Sequence, residues 1–319
     1  MAFALLLLTG GLLLLWKGAD LLVGGAVGLA ERLGVSQLVI GLTVVAMGTS
    51  APEAAASIAA VLPGRGDIAI GNVYGSNIAN LALVGGVVAL IRPLEIQART
   101  LGREVPAMLA VALLLWPLLH DLQLSRPEGI LLLAVFAALA LYIVRTARSG
   151  APLVPPAHAS VARVHTLKRD AGFVVLGLLG LSVGARMAVY GATWIGAAIG
   201  LSDAVIGSTI MAIGTSLPEL VTCVVAAAKG HHDISVGNLV GSNIFNTLLV
   251  TGIAGVVRPY VVGRRFGGGR DFQIMIAVSA AFAVVAVLSK RRIGRLGAGI
   301  FLATYAAYLV YLLSSAGVA

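Results

Sequence analysis

Apolar residues along this chain fall in long continuous runs, with little of the every-second-residue alternation that marks a half-buried strand. Ten runs are long enough to cross hydrocarbon, covering about 3–29, 36–62, 68–91, 103–119, 128–146, 170–197, 203–228, 234–257, 272–289 and 296–314. Only helices and closed barrels satisfy every backbone polar group inside a bilayer, and continuous runs select helices. The first run, in "MAFALLLLTGGLLLLWKGAD", lacks a basic leader and a small-residue cleavage site, so it is expected to be a retained membrane helix. Short polar segments punctuate the pattern: "PGRGD" follows the second run and "GHHD" the seventh, with Asp67 and Asp233 expected as N-caps of the third and eighth helices. The longest polar stretch, "RSGAPLVPPAHASVARVHTLKRD", has no core of its own and divides the chain near its midpoint. The expected organisation is a first five-helix unit over 1–148, a cytoplasmic linker over 149–168 and a second five-helix unit over 169–319.

Composition agrees with the pattern. A chain of 319 residues that is 59% hydrophobic and 11% charged, with mean hydropathy +1.01 and 40 glycines, lies outside the range of soluble domains. Glycine abundance suits helices that pack closely in lipid. The formal charge of +9 does not point to nucleic acid, because the basic residues form short clusters between apolar runs. They read as topology signals: with the N-terminus outside, inside loops hold fourteen Lys and Arg residues and outside loops six. Both termini are thus expected outside the cell membrane, with the cluster Arg258–Arg270 as the dissenting loop. The single cysteine, Cys223, reads as helix filler.

Sliding the chain along itself by 166 residues lays residues 36–86 over 202–252 without a gap and with 25 identities in 51 positions. Five runs fall in each half. Five is odd, so the two copies are expected to enter the membrane from opposite sides, as in transporters built from inverted repeats.

Both copies interrupt an apolar run with G-T-S-x-P-E, at 48–53 and 214–219. Pro52 and Pro218 cannot donate to the carbonyls of Gly48 and Gly214, which predicts kinks in the second and seventh helices. Polar backbone at that depth needs a partner, and a dehydrated cation is one. Thr49, Ser50, Thr215 and Ser216 supply neutral oxygens, while Glu53 and Glu219 supply charge that no Lys or Arg in either motif compensates. The next run adds Ser76 with Asn80, and Ser242 with Asn246, each pair at i and i+4 on one helical face. Glycines 71, 75, 237 and 241 are expected to let that face approach its neighbour closely. The set is hard oxygen without His or Cys, which suits Na⁺ or Ca²⁺ and not zinc or copper.

The duplicated pair G-T-S-x-P-E and G-S-N-I-x-N resembles the alpha-repeats of the calcium/cation antiporter superfamily, and most closely its Na⁺/Ca²⁺ exchanger branch. That resemblance implies an all-α integral membrane fold of ten transmembrane helices in two inverted five-helix repeats. It implies an ion pocket lined by Thr49, Ser50, Glu53, Ser76, Asn80, Thr215, Ser216, Glu219, Ser242 and Asn246, with backbone oxygens of Ala46 and Ala212. It also implies that the first and sixth helices slide against a static core. Asparagine at both 80 and 246 leaves two formal negative charges, which matches one Ca²⁺ or two Na⁺ and argues against K⁺ co-transport.

The expected function is Na⁺/Ca²⁺ antiport by alternating access, with no enzymatic step and no cofactor. The expected partners are Na⁺, Ca²⁺ and the bilayer around a monomer. Ca²⁺/H⁺ exchange is the first alternative, although proton-coupled relatives typically show G-N-x-x-E at the kink. A cation channel is a second. An intramembrane hydrolase using Ser50 or Ser216 would need a nearby base, and the five histidines all fall in loops. His231 and His232 are adjacent and share no helical face, so they read as a solvated loop; "GRRFGGGRD" reads as a mobile outer loop. Lys17, Asp20 and Arg186 read as snorkelling or paired charges on the first and sixth helices.

Overall fold

The computed structural model describes residues 1–149, 166–201, 206, 210 and 212–315. Most of the linker expected over 149–168, and the first part of the seventh run, lie outside the described residues. The described helices are α1 (Ala2–Leu33), α2 (Gln37–Thr49), α3 (Ala51–Val61), α4 (Gly66–Ile91), α5 (Ala98–Leu118), α6 (Arg126–Ser149), α7 (Leu167–Ala198), α8 (Ala212–Thr215), α9 (Leu217–Ala228), α10 (His232–Val257), α11 (Arg270–Leu288) and α12 (Arg295–Ser315). Eight of these are long and apolar enough to cross a membrane, and α2 with α3 pass the same test as one span bent by 42°. The chain is an all-helical membrane protein, as its apolar runs predict.

The second span breaks at Ser50, whose backbone (φ −85°, ψ 6°) leaves the helical region, and α9 is preceded by the same conformation at Ser216 (φ −89°, ψ 6°). Pro52 and Pro218 then sit in the first turn of α3 and α9, where a missing N–H costs nothing. Further segments relax to π-helix, among them Gly41–Val45 in α2, Ala79–Val84 in α4 and Asn246–Val250 in α10. Each adds a residue to a turn and rotates the side chains that follow, as π-bulges commonly do near functional sites.

Asp67 and Asp233 are not the N-caps expected of them. Arg65 and His231 hold the cap positions, and the carboxylates reach across the molecule instead. Asp67 accepts from the Gly263 amide (2.6 Å), and Asp233 accepts from Gln97 Nε2 (2.7 Å). Positions 97 and 263 are themselves 166 apart, as are Arg92 and Arg258. Arg258 donates to the Leu62 carbonyl, and Arg92 donates to that of Ala227 at 3.3 Å. Two short antiparallel pairs also tie the halves together: β1 (Leu94–Glu95) on β4 (Arg292–Ile293), and β2 (Gln123–Leu124) on β3 (Tyr260–Val261).

Helices α1 and α7 pack along their lengths in antiparallel register. A Cβ placed on Gly11 would lie 2.7 Å from the Gly184 carbonyl, on Gly18 2.9 Å from that of Gly177, and on Gly25 2.7 Å from that of Asp170. Glycine at every seventh position keeps one face of each helix free of side chains, and backbones meet there. This pair carries its own small core with Leu15, Leu22, Val23 and Leu181, while the larger core lies among α3–α6 and α9–α12. Its outer face, with Leu6, Leu13, Trp16, Leu176, Leu179 and Tyr190, is exposed for lipid.

Candidate functional site: a buried cluster of oxygens

The kinks bring the two acidic side chains inside the bundle. Glu53 enters from the first turn of α3 and Glu219 from that of α9; both are fully buried or nearly so. No Lys or Arg pairs with either among the described residues. Ser50, three residues before Glu53, reaches Glu219, so the two acidic turns meet although 166 residues apart in sequence. Ser50 Oγ crosses between copies and donates to Glu219 Oε1 at 2.9 Å, and Ser76 Oγ donates to Glu53 Oε1 at 3.5 Å. The second oxygen of each carboxyl, Oε2, has no partner among the described residues, nor have Ser216 Oγ or the amide atoms of Asn80 and Asn246. Leaving such groups dry and unpaired is costly. A cation seated among them would satisfy the acceptors together. Among the described residues no three His, Cys, Asp or Glu side chains cluster, so the charge of this pocket comes from the two glutamates.

Of the ten side chains predicted as ligands, Thr49, Ser50, Glu53, Ser76, Asn80, Ser216, Glu219, Ser242 and Asn246 are buried, and Thr215 is partly buried. Asn80 and Asn246 lie in the π segments of α4 and α10, which sets their direction. The Ala46 carbonyl accepts from the Ser50 amide (3.1 Å) and from Thr49 Oγ1 (3.4 Å). Ala212 begins α8, and its side chain lies outside the described residues. The close approach expected of the glycines occurs at Gly237 and Gly241, where a Cβ would lie 2.7 Å from the carbonyls of Leu38 and Leu42. At Gly71 and Gly75 the nearest described atoms belong to the side chains of Phe266 and Tyr308, at 3.5 and 3.7 Å, and positions 204 and 208, which match Leu38 and Leu42 at the 166-residue offset, lie outside the described residues.

Beside the pocket lies a polar arrangement that motif reading missed. Asn72 Nδ2 donates to Ser57 Oγ (3.0 Å) and to the Glu53 carbonyl (3.1 Å), and Ser57 Oγ donates to the Ala69 carbonyl (3.3 Å). Its counterpart replaces the hydroxyl by a thiol: Asn238 Nδ2 donates to Cys223 Sγ (3.2 Å), which donates to the Ser235 carbonyl (3.5 Å). Cys223 is therefore a hydrogen-bonded member of this arrangement and not mere filler. The signal was present: Asn72 and Asn238 match at the 166-residue offset and stand one turn before Ser76 and Ser242.

Three peripheral expectations also change. His231 is half-buried with Nδ1 3.0 Å from Gln37 Oε1, and His232 opens α10, so the pair is not a solvated loop. The "GRRFGGGRD" segment is packed, not loose: Phe266 is buried, Arg265 stacks on it, and Arg265 Nε pairs with Asp271 at 2.6 Å. Asp20 of α1 is ion-paired with Lys229, while Lys17 and Arg186 are exposed.

Apolar helices that break around a closed cluster of carboxyl, hydroxyl and amide oxygens define an integral membrane protein with a polar pocket in its interior. The family model "Sodium/calcium exchanger protein" matches residues 3–145 and again 170–314, and the chain belongs to that family. It is 40% identical over 313 residues to "Putative antiporter CaxA" of Alkalimonas amylolytica, covering 97% of this chain and 98% of that protein. It is 33% identical over 346 residues to "Sodium/calcium exchanger MaX1" of Methanosarcina acetivorans, covering 97% and 98%. Among solved structures it resembles the sodium-calcium exchanger NCX_Mj soaked with zero Na⁺ and Ca²⁺, at 30% identity and a TM-score of 0.82, over 98% of this chain and 99% of the other.

Proposed function

We propose that the protein is a secondary antiporter that exchanges Na⁺ for Ca²⁺ by alternating access at the pocket between its two halves. The observation that carries this reading is that Glu53 and Glu219, one from each half, are buried where their turns meet and each keeps an oxygen with no partner among the described residues. Both ions would use the same two carboxyls, so they bind in turn, and closing the site is favourable when its charge is neutralised. Thr49, Ser50, Ser76, Asn80, Thr215, Ser216, Ser242 and Asn246 complete the proposed ligand set, with the carbonyls of Ala46 and Ala212. The ions are substrates, and no cofactor is invoked.

The proposed architecture is ten spans in two inverted five-helix repeats, 1–148 and 169–319, with both termini outside. Support comes from the antiparallel α1–α7 register and from the Asp67–Gly263 and Asp233–Gln97 contacts, which recur across the 166-residue offset. The glycine-lined α1–α7 pair would slide against the remaining helices to expose the pocket alternately. The relatives named as exchangers favour the same reading.

The test is radioactive Ca²⁺ uptake by proteoliposomes loaded with Na⁺. Glu53→Gln or Glu219→Gln abolishes uptake, and His231→Ala, outside the pocket, retains it. Uptake driven by a pH step alone would replace Na⁺ coupling with proton coupling. Flux indifferent to the opposing gradient would make the protein a channel.

A further inference from the structure

We propose that Asn238 is a positioning residue that fixes the hydroxyls of Thr49 and Ser242 with their lone pairs toward the ion, and that Cys223 fixes Asn238. This rests on the pocket being a cation site, and goes beyond that reading by assigning roles to two residues outside the proposed ligand set.

Asn238 is fully buried on α10, one turn before Ser242. Its Oδ1 accepts from Thr49 Oγ1 at 3.0 Å and from Ser242 Oγ at 3.5 Å. A hydroxyl has one proton and two lone pairs. When the proton is committed to an amide carbonyl, the oxygen can present only lone pairs elsewhere, and a cation sees an acceptor. Without that carbonyl the Ser242 proton is free to turn into the pocket, where it opposes the ion, and the Thr49 proton is left with its longer contact to the Ala46 carbonyl (3.4 Å). One amide oxygen thus governs two proposed ligands, one contributed by each half of the chain.

The amide must itself be held the right way round, because a flip would aim Nδ2 at both hydroxyls. Cys223 prevents it by accepting from Nδ2 (3.2 Å) while its own S–H is committed to the Ser235 carbonyl (3.5 Å). The first half uses the same device with oxygen in place of sulfur, Asn72 on Ser57 and Ser57 on the Ala69 carbonyl. That recurrence argues that an acceptor at 57 and 223, and not the thiol chemistry, is the working feature. Serine can serve at 223; an aliphatic side chain cannot.

Calorimetry of purified wild-type, Asn238→Leu, Cys223→Ser and Cys223→Ala proteins with CaCl₂ and with NaCl tests this, with thermal unfolding of the ion-free proteins alongside. Groups that orient metal ligands typically matter by about 10–100-fold in affinity. The Ca²⁺ dissociation constant should rise by that order in Asn238→Leu and by a smaller factor in Cys223→Ala, while Cys223→Ser stays near wild type. Should Asn238→Leu fail to fold, the two Cys223 variants still decide. Equal Ca²⁺ affinity in Cys223→Ala and Cys223→Ser, or wild-type affinity in folded Asn238→Leu, overturns the proposal while leaving the cation site intact. Wild-type protein that binds neither Ca²⁺ nor Na⁺ overturns the site and this inference together.

Discussion

Ser50 and Ser216 hold the same place in the two copies and do different things. Ser50 Oγ donates to Glu219 Oε1, whereas Ser216 Oγ is buried with no partner among the described residues. A hydrogen bond to a charged group is worth about 1.5–3 kcal/mol, while a buried orphan hydroxyl is itself destabilising. Ser50→Ala should therefore lower the thermal midpoint of the ion-free protein and weaken Ca²⁺ binding by about tenfold or more. Ser216→Ala should weaken Ca²⁺ binding but leave the ion-free midpoint unchanged or raise it. Differential scanning fluorimetry with and without CaCl₂ separates the two. Each residue of the pocket was legible as a polar side chain duplicated inside an apolar run. Its partner was not, because a hydrogen bond such as Ser50 to Glu219 joins groups 169 residues apart and leaves no local pattern.

Helices were the most readable elements, since their length and apolar continuity report the bilayer directly. Their irregularities were less so. The proline motifs announced breaks before α3 and α9, but nothing in the identity of Thr43, Asn80 or Asn246 marks a π segment, which answers to packing on neighbouring helices. The Asp67 and Asp233 side chains misled as N-caps because tertiary donors, the Gly263 amide and Gln97, won over the local ones. The α1–α7 contact shows the same dependence on a partner: glycine content suggested close packing, and only the register shows which glycines make it. Gly177 meets the backbone of Gly18 and Leu22, with a built Cβ 2.6–2.7 Å away, whereas Gly24 has nothing within 4 Å. Overpacking typically costs about 1–3 kcal/mol. Gly177→Val should lower the thermal midpoint and impair Na⁺-driven Ca²⁺ uptake, and Gly24→Ala should change neither, as unfolding scans and transport assays on the same preparations would show.

For the whole molecule, loop charge proposes which segments lie inside, and long-range contacts show that segments given the same side lie together. The pair β1–β4 ties the segment after α4 to the segment after α11, both assigned inside by their Lys and Arg content, and β2–β3 ties two segments assigned outside. The ends of α1 and α7 that loop charge assigns inside are joined by Arg32 Nε and Asp170 Oδ2 at 2.5 Å. The Asp170 side chain is 4% exposed and that of Arg32 is 35%, so removing the carboxylate should cost about 1–3 kcal/mol, less than for a wholly buried pair. Asp170→Ala should show that loss as a lower thermal midpoint. The loop from Arg258 to Arg270, assigned outside, dissents from the charge rule, and its structure supplies a reason: Arg258 caps the end of α3, and Arg265 is committed to Asp271 and Phe266, so these charges serve packing. Sidedness can then be tested at positions the charge count assigns. In a Cys223→Ser background, cysteines introduced at Arg65 and Arg126 should react with a membrane-impermeant maleimide added to intact cells. Cysteines at Arg99 and Lys290 should react after the membrane is opened. Labelling of Arg65 and Arg99 positions from the same side would contradict the opposed orientation of the two halves, since α4, the helix between them, would no longer cross.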